Sequence, residues 1–258
     1  MSSSVPAINF IDDAPALVAL LSLLLTPPIN PTSQPTIFLD LEGNNLSRNG
    51  TVSILTLHHA PTSTTHLIDI YNLSHSAFTT PASPPYTDQT LKSILEDPSI
   101  PKVFFDVRND SDALFSHYRI SLQGIIDLQL LELGSRSGGL NQKRLVSGLA
   151  RCIQYDAKLS FQEKRTWEAV KKIGVEMFAP EKGGSYAVFD KRPLAEEIKK
   201  YCAQDVSFLP ALLEVYTSRL GTSVVWKGKI EKETLERVRE SQSAGYQPHG
   251  RQKALGPW

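Results

Sequence analysis

Four acids and one phenol, spread over three separated segments, are the side chains with chemistry to offer: Asp40 and Glu42, Asp110, and Asp205 four residues after Tyr201. The first two lie in the apolar run from Thr36 to Gly43, which reads as a buried strand stopped by glycine. Side chains alternate along a strand, so both carboxylates leave from one face. Side by side at the end of a core strand they repel each other and lose hydration unless a cation lies between them. Hard divalent ions such as Mg²⁺ take oxygen ligands of this kind. The plain alternative is an edge strand with one wet side.

The run from Pro193 to Leu209 reads as a helix with Pro193 at its first position, Glu196 and Glu197 in its first turn, and a buried stripe of Leu194, Ile198, Val206 and Leu209. Tyr201 and Asp205 are an i, i+4 pair on one face, which alone is equally a surface contact. The run from Lys102 to Phe115 starts as a strand and turns helical near Asn109 or Asp110. An Asp at that point is an N-cap on the bland reading. Asp106, Asp110 and Asp112 all compete for a chemical role, and spacing alone does not choose between the first two.

In this order the three segments resemble the three exonuclease motifs of the DEDD superfamily of 3′-to-5′ exonucleases, over roughly residues 8 to 220. Asp40 and Glu42 fall on the family's Asp-x-Glu, and the continuation from Gly43 to Ser53 resembles the RNase D-like and Egalitarian-like branch. The second motif's acid falls on Asp110, followed by the expected Leu114. Tyr201-Cys202-Ala203-Gln204-Asp205 has the Tyr-x-x-x-Asp form of the DEDDy subgroup; the DEDDh subgroup would place His where Lys200 stands.

The resemblance implies an α/β, ribonuclease H-like exonuclease fold with a mixed central sheet flanked by helices. It implies that Asp40, Glu42, Asp110 and Asp205 hold two Mg²⁺ or Mn²⁺ ions about 4 Å apart, one activating water and one stabilising the departing 3′-oxygen. Tyr201 would orient the attacking water or help deprotonate it. The products would be nucleoside 5′-monophosphates from a 3′-hydroxyl end, with RNA slightly favoured over DNA. One rival is a non-catalytic RNA-binding or adaptor protein that keeps the exonuclease fold; retention of all four acids and Tyr201 argues for the enzyme. Another is an enzyme of nucleotides or small phosphoesters, which salt should not weaken as it weakens polymer binding.

The elements that must position these residues follow from the pattern. Strands are expected near 36–42, 51–58, 65–70 and 102–106, with Pro61 to Thr65 turning an antiparallel hairpin, a helix near 87–96, and a last strand from Gly124 to Leu128. Helices are expected from 127 to about 240, broken between Phe178 and Tyr186 by a substrate-lining loop or an ordinary connector. Asp127 reads as structural. With 258 residues, 41% hydrophobic and 21% charged, the chain can bury one substantial core. The expected division is an exonuclease domain over 1–225 and a C-terminal helix with a basic, aromatic tail over 226–258, the tail binding a single strand, packing back through Trp258, or staying mobile.

Ala14 to Leu25 follows Asp12 and Asp13, lacks a basic leader and is too short for a bilayer, so it reads as a helix packed on the sheet. Cys152 and Cys202 form no disulfide or metal pattern, and Cys202 is assigned to core packing. An intracellular location, cytoplasm or nucleus, is expected. The formal charge of zero hides an asymmetry, since the basic residues gather after residue 101. Lys143, Arg144, Arg151, Lys164, Arg165, Lys171, Lys172, Lys182 and Arg192 are candidates to guide phosphates, or else the solvated faces of helices. The pair His58-His59 is expected at a surface or edge, and Pro27 to Pro35 as a connector.

Overall fold

A computed structural model describes residues 7–26 and 34–258. The Pro-rich connector from Pro27 to Pro35 lies largely outside the described residues. In chain order the strands and helices are β1 (Ala7–Ile11), α1 (Ala14–Leu25), β2 (Ile37–Glu42), β3 (Ile54–His59), β4 (Thr64–Asp69), the short α2 (Ile70–Leu73) and α3 (Ser76–Thr79), α4 (Leu91–Glu96), β5 (Lys102–Phe104), α5 (Arg108–Tyr118) and β6 (Ile125–Asp127). Helices follow: α6 (Leu128–Ser135), α7 (Leu149–Asp156), α8 (Phe161–Phe178), α9 (Glu196–Ser207), α10 (Leu209–Leu220) and α11 (Val224–Ser241). Among the described residues no helix is long and apolar enough to cross a membrane.

The six strands form one mixed sheet in the order β1-β4-β3-β2-β5-β6. The expected hairpin is β3–β4, and β2 pairs antiparallel with β3 and parallel with β5. Asp40 and Glu42 therefore sit on a strand paired on both sides, which excludes the wet-edge reading. Strand β1 was not anticipated. It is a short alternating run at the sheet edge, held by parallel pairing with the distant β4.

Alternation on β2 divides the core. Ile37, Leu39 and Leu41 pack with α1, α4 and α5 on one face. Phe38 on the other face joins a cluster built from α6, α9 and α10, while Ile54 and Leu67 join Ile198, Tyr201 and Cys202 in another. Asp40 and Glu42 share Phe38's face. The carboxylates thus emerge at the seam between two apolar clusters, under α9.

His58 and His59 are not at a surface: they are 5% and 8% exposed, because β3 has a neighbour on each side. His58 Nδ1 lies 3.0 Å from Thr65 Oγ1, and burial pulls His58 down to about 4. The basic run also divides. Lys143 is buried and donates to the carbonyls of Leu133, Gly134 and Arg136, closing the C-terminus of α6. Arg192 pairs with Asp69 at the end of β4.

The C-terminal segment packs back onto the domain. Helix α11 contributes Ile230 to one cluster and Val238 to another. Arg48 donates to the carbonyls of Ser241, Ser243 and Ala244, and Trp258 meets Trp226 edge-on at 5.1 Å.

Candidate active site

Helix α9 is placed by contacts made before Tyr201 and Asp205 are reached. Arg192 reaches Asp69 and Ser53 donates to Asp190 at 2.5 Å, so the entry to α9 is tied to the ends of β3 and β4. The helix starts at Glu196 with Ala195 as its cap, three residues later than the Pro193 start read from sequence. The residues between are spent on that anchor. Ile198, Cys202 and Val206 pack inward, and the face carrying Tyr201 and Asp205 covers β2 and β3.

Helix α8 runs alongside α9, and Gly174 sets how near it comes. A Cβ there would lie 2.5 Å from Tyr201 Cδ2 and 2.8 Å from its Cβ, so only glycine allows this approach. Phe178 packs on the Tyr201 ring with centroids 5.1 Å apart, and stacks on Tyr186. The segment after α8 is thus a support for Tyr201. Gly174→Ala should wedge the two helices apart, costing about 1–3 kcal/mol. Displacing Tyr201 and Asp205 should also cut hydrolysis about tenfold or more. Urea unfolding and a nuclease assay on one preparation check both effects.

The second segment resolves its own ambiguity. Asp106 is gripped by Arg108, whose Nε and Nη2 donate at 2.5 and 2.7 Å, and lies 3.6 Å from Arg237. Asp112 accepts from Arg48 Nε at 2.6 Å and from its backbone N–H. Asp110 is not an N-cap, since α5 starts at Arg108; it is buried in the first turn, and its Oδ1 has no hydrogen-bond partner among the described residues. Asp127 caps α6 and accepts from Arg237, a structural role as expected.

The four acids feel one another. Burial and then Asp205 push Asp40 up to about 7. Burial raises Glu42 strongly with Asp40 as its next cause, and raises Asp110 strongly, again with Asp40 next. Burial and the neighbouring Glu42, Asp205 and Asp40 hold the Tyr201 phenol far above its usual range. Crowding and dehydration are what a set of anions experiences where a cation belongs.

The structure adds a residue that sequence did not single out for this site. Lys171 of α8 donates to Asp205 Oδ2 at 2.5 Å and to the Tyr201 hydroxyl at 3.4 Å, and its charge lowers Asp40 and Glu42. It was legible only as one cation in a basic run, because its target lies 34 residues away. Among the described residues no three His, Cys, Asp or Glu side chains are already drawn around one cation position. The Lys171 ammonium meets Asp205 directly, and the charge of Lys253 lowers Asp110. The donors themselves are all carboxylate oxygens, and Asp110 Oδ1 and Asp205 Oδ1 are both buried and unsatisfied. That set suits hard divalent ions better than a structural zinc site, which draws on thiolates and imidazoles.

The chain matches the model of the 3′–5′ exonuclease family over residues 12–218. Its fold is similar to Trypanosoma brucei RNase D in complex with RNA U12, at 19% identity and a TM-score of 0.67, covering 95% of this chain and 74% of that one. It is also similar to Escherichia coli RNase D, an exoribonuclease involved in structured RNA processing, at 19% identity and a TM-score of 0.58, covering 92% of this chain and 51% of that one. Brucella melitensis NrnC bound to pGG matches at 16% identity and a TM-score of 0.56, covering 95% and 100%. A search of the curated proteins finds no match. The chain belongs to the 3′–5′ exonuclease family and is an enzyme of that class, with an α/β, ribonuclease H-like fold.

Proposed function

We propose that the protein removes nucleotides from the 3′ end of nucleic acid, RNA in slight preference to DNA, as nucleoside 5′-monophosphates, using two Mg²⁺ or Mn²⁺ ions. The observation that carries this reading is the meeting of Asp40, Glu42, Asp110 and Asp205, from three separate elements, as part-buried and buried carboxylates, with the neighbouring acids helping to raise the pKa values of Asp40, Glu42 and Asp110. The relatives in complex with RNA U12 and with pGG support a nucleic-acid substrate. The retained acids and phenol favour an enzyme over a non-catalytic adaptor.

Asp40, Glu42, Asp110 and Asp205 would hold the ions, which when bound supply an activated water and charge for the leaving 3′-oxygen. The protein's own part is positional. Tyr201, neutral and backed by Phe178, orients the water with its hydroxyl. The apolar clusters beside the seam keep other water from the acids. Tyr201→Phe keeps the ring and removes the hydroxyl, so it should lower turnover about 10²-fold with little change in unfolding.

Lys171 must release Asp205 before that carboxylate can serve a divalent ion. Lys171→Met should therefore bind Mn²⁺ about tenfold more tightly than the parent in a calorimetric titration, a difference of roughly 1.4 kcal/mol. Equal or weaker binding would remove Lys171 from the metal equilibrium.

The functional test is a gel assay on 5′-labelled single-stranded RNA and DNA of one sequence, with Mg²⁺, with Mn²⁺ and with EDTA. A metal-dependent ladder shortening from the 3′ end is expected. Intact substrate under both metals would overturn the reading.

A further inference from the structure

Two large rings on α7 and α8 are left in water. Tyr155 is 66% exposed and Phe161 is 76% exposed, and neither belongs to an apolar cluster. Helix capping does not account for Phe161. Its helix starts with a reciprocal Ser160–Glu163 capping box, and the residue before that cap, Leu159, is the one packed on the core.

Cations are drawn to these rings. Arg151 Cζ lies 5.1 Å and Lys164 Nζ 5.9 Å from the Tyr155 centroid, and Arg165 Cζ lies 5.8 Å from that of Phe161. None of the three is ion-paired among the described residues; the nearby Asp156 is taken by Arg219 and Tyr216, and Glu163 by the cap. Exposed π-faces beside unpaired cations are what a single-stranded nucleic acid needs: rings for its bases and positive charge for its phosphates. A duplex hides its base faces, and an acidic protein would leave the rings unused.

The patch is joined to the active site by one rigid element. Lys164 lies two turns before Lys171 on the same face of α8, about 10 Å along the axis. That length matches roughly three stacked nucleotides. Lys171 in turn touches Asp205.

We propose that the exposed face carrying Arg151, Tyr155, Phe161, Lys164 and Arg165 binds the single strand on the 5′ side of the nucleotide being removed. This rests on the exonuclease reading for its direction. It predicts that long strands are held by stacking that a dinucleotide cannot reach.

The test uses the full chain as Asp40→Asn, to prevent cleavage, with fluorescein-labelled twelve-nucleotide oligouridylate and oligothymidylate in an anisotropy titration. Adding Tyr155→Ala and Phe161→Ala should weaken binding about tenfold or more. Adding Arg165→Glu should flatten the salt dependence. In the active protein the two ring changes should raise KM for the twelve-mer and leave hydrolysis of a dinucleotide unchanged. Equal twelve-mer binding with and without the rings overturns the proposal, even if the enzyme degrades RNA. Ring-dependent binding by a protein that cleaves nothing would retain the surface and remove the exonuclease reading instead. Because both rings are exposed, a circular dichroism spectrum matching the parent is expected.

Discussion

Asp40→Asn should abolish metal-dependent hydrolysis, on the order of 10³-fold or more, and yet give a metal-free protein more stable than the parent at pH 8. The second half separates an acid lifted by burial and by its neighbours from one held in a structural ion pair. Asp40 is lifted from the usual 3.8 to about 7, so the folded state holds its proton more tightly than the unfolded chain. Its ionisation therefore destabilises the fold above pH 7, and the penalty fades as pH falls from about 7 towards 4. Asparagine carries no such charge. The variant should exceed the parent by about 2–4 kcal/mol at pH 8 in EDTA, with the gap shrinking steadily on acidification. His58 and His66 act in the opposite sense. Burial lowers both to about 4, so as pH drops from 6.5 towards 4 the unfolded chain binds protons there that the folded one does not, and stability falls. They are common to both proteins and cancel in the difference. Urea unfolding of the pair at several pH values checks this, and a variant less stable than its parent at pH 8 would contradict a repulsive acid cluster.

Features set by local sequence were readable without coordinates. The run ending at Gly43 carries its own alternation, and the Pro61–Thr65 turn lies between two strand-like runs, so β2 and the β3–β4 hairpin are where expected. Tyr201 and Asp205 share a face because one helix carries both. What escaped depends on chain brought from afar. The β1 strand exists because β4, more than 50 residues on, supplies its hydrogen bonds. His58 and His59 are buried because strands close over both edges of β3. Lys171 belongs to the site only because Gly174 lets α8 close on α9. The tail offered three readings from composition, and the packed one is fixed by Arg48, almost 200 residues before the carbonyls it binds.

The second motif gives the other large effect. Asp110→Asn should cut hydrolysis on the order of 10³-fold, whereas Asp106→Asn should leave turnover within about threefold of the parent and cost about 1–3 kcal/mol of stability instead. The two acids are four residues apart, but their partners differ. Asp106, at a positive φ of 65°, is locked by Arg108 and lies beside Arg237, which also holds Asp127 at the start of α6. Asparagine tolerates that backbone but returns only part of the charge-assisted bonding. Among the described residues Asp110 has no such cation in hydrogen-bonding contact, and one of its oxygens is unsatisfied beside Asp40. Neutralising Asp110 therefore removes repulsion while taking away a proposed metal ligand, so its variant should be at least as stable as the parent when metal-free. Unfolding midpoints and single-turnover hydrolysis on both variants decide the matter. The reverse pattern, with Asp106→Asn inactive and Asp110→Asn active, would move the second motif's acid to Asp106.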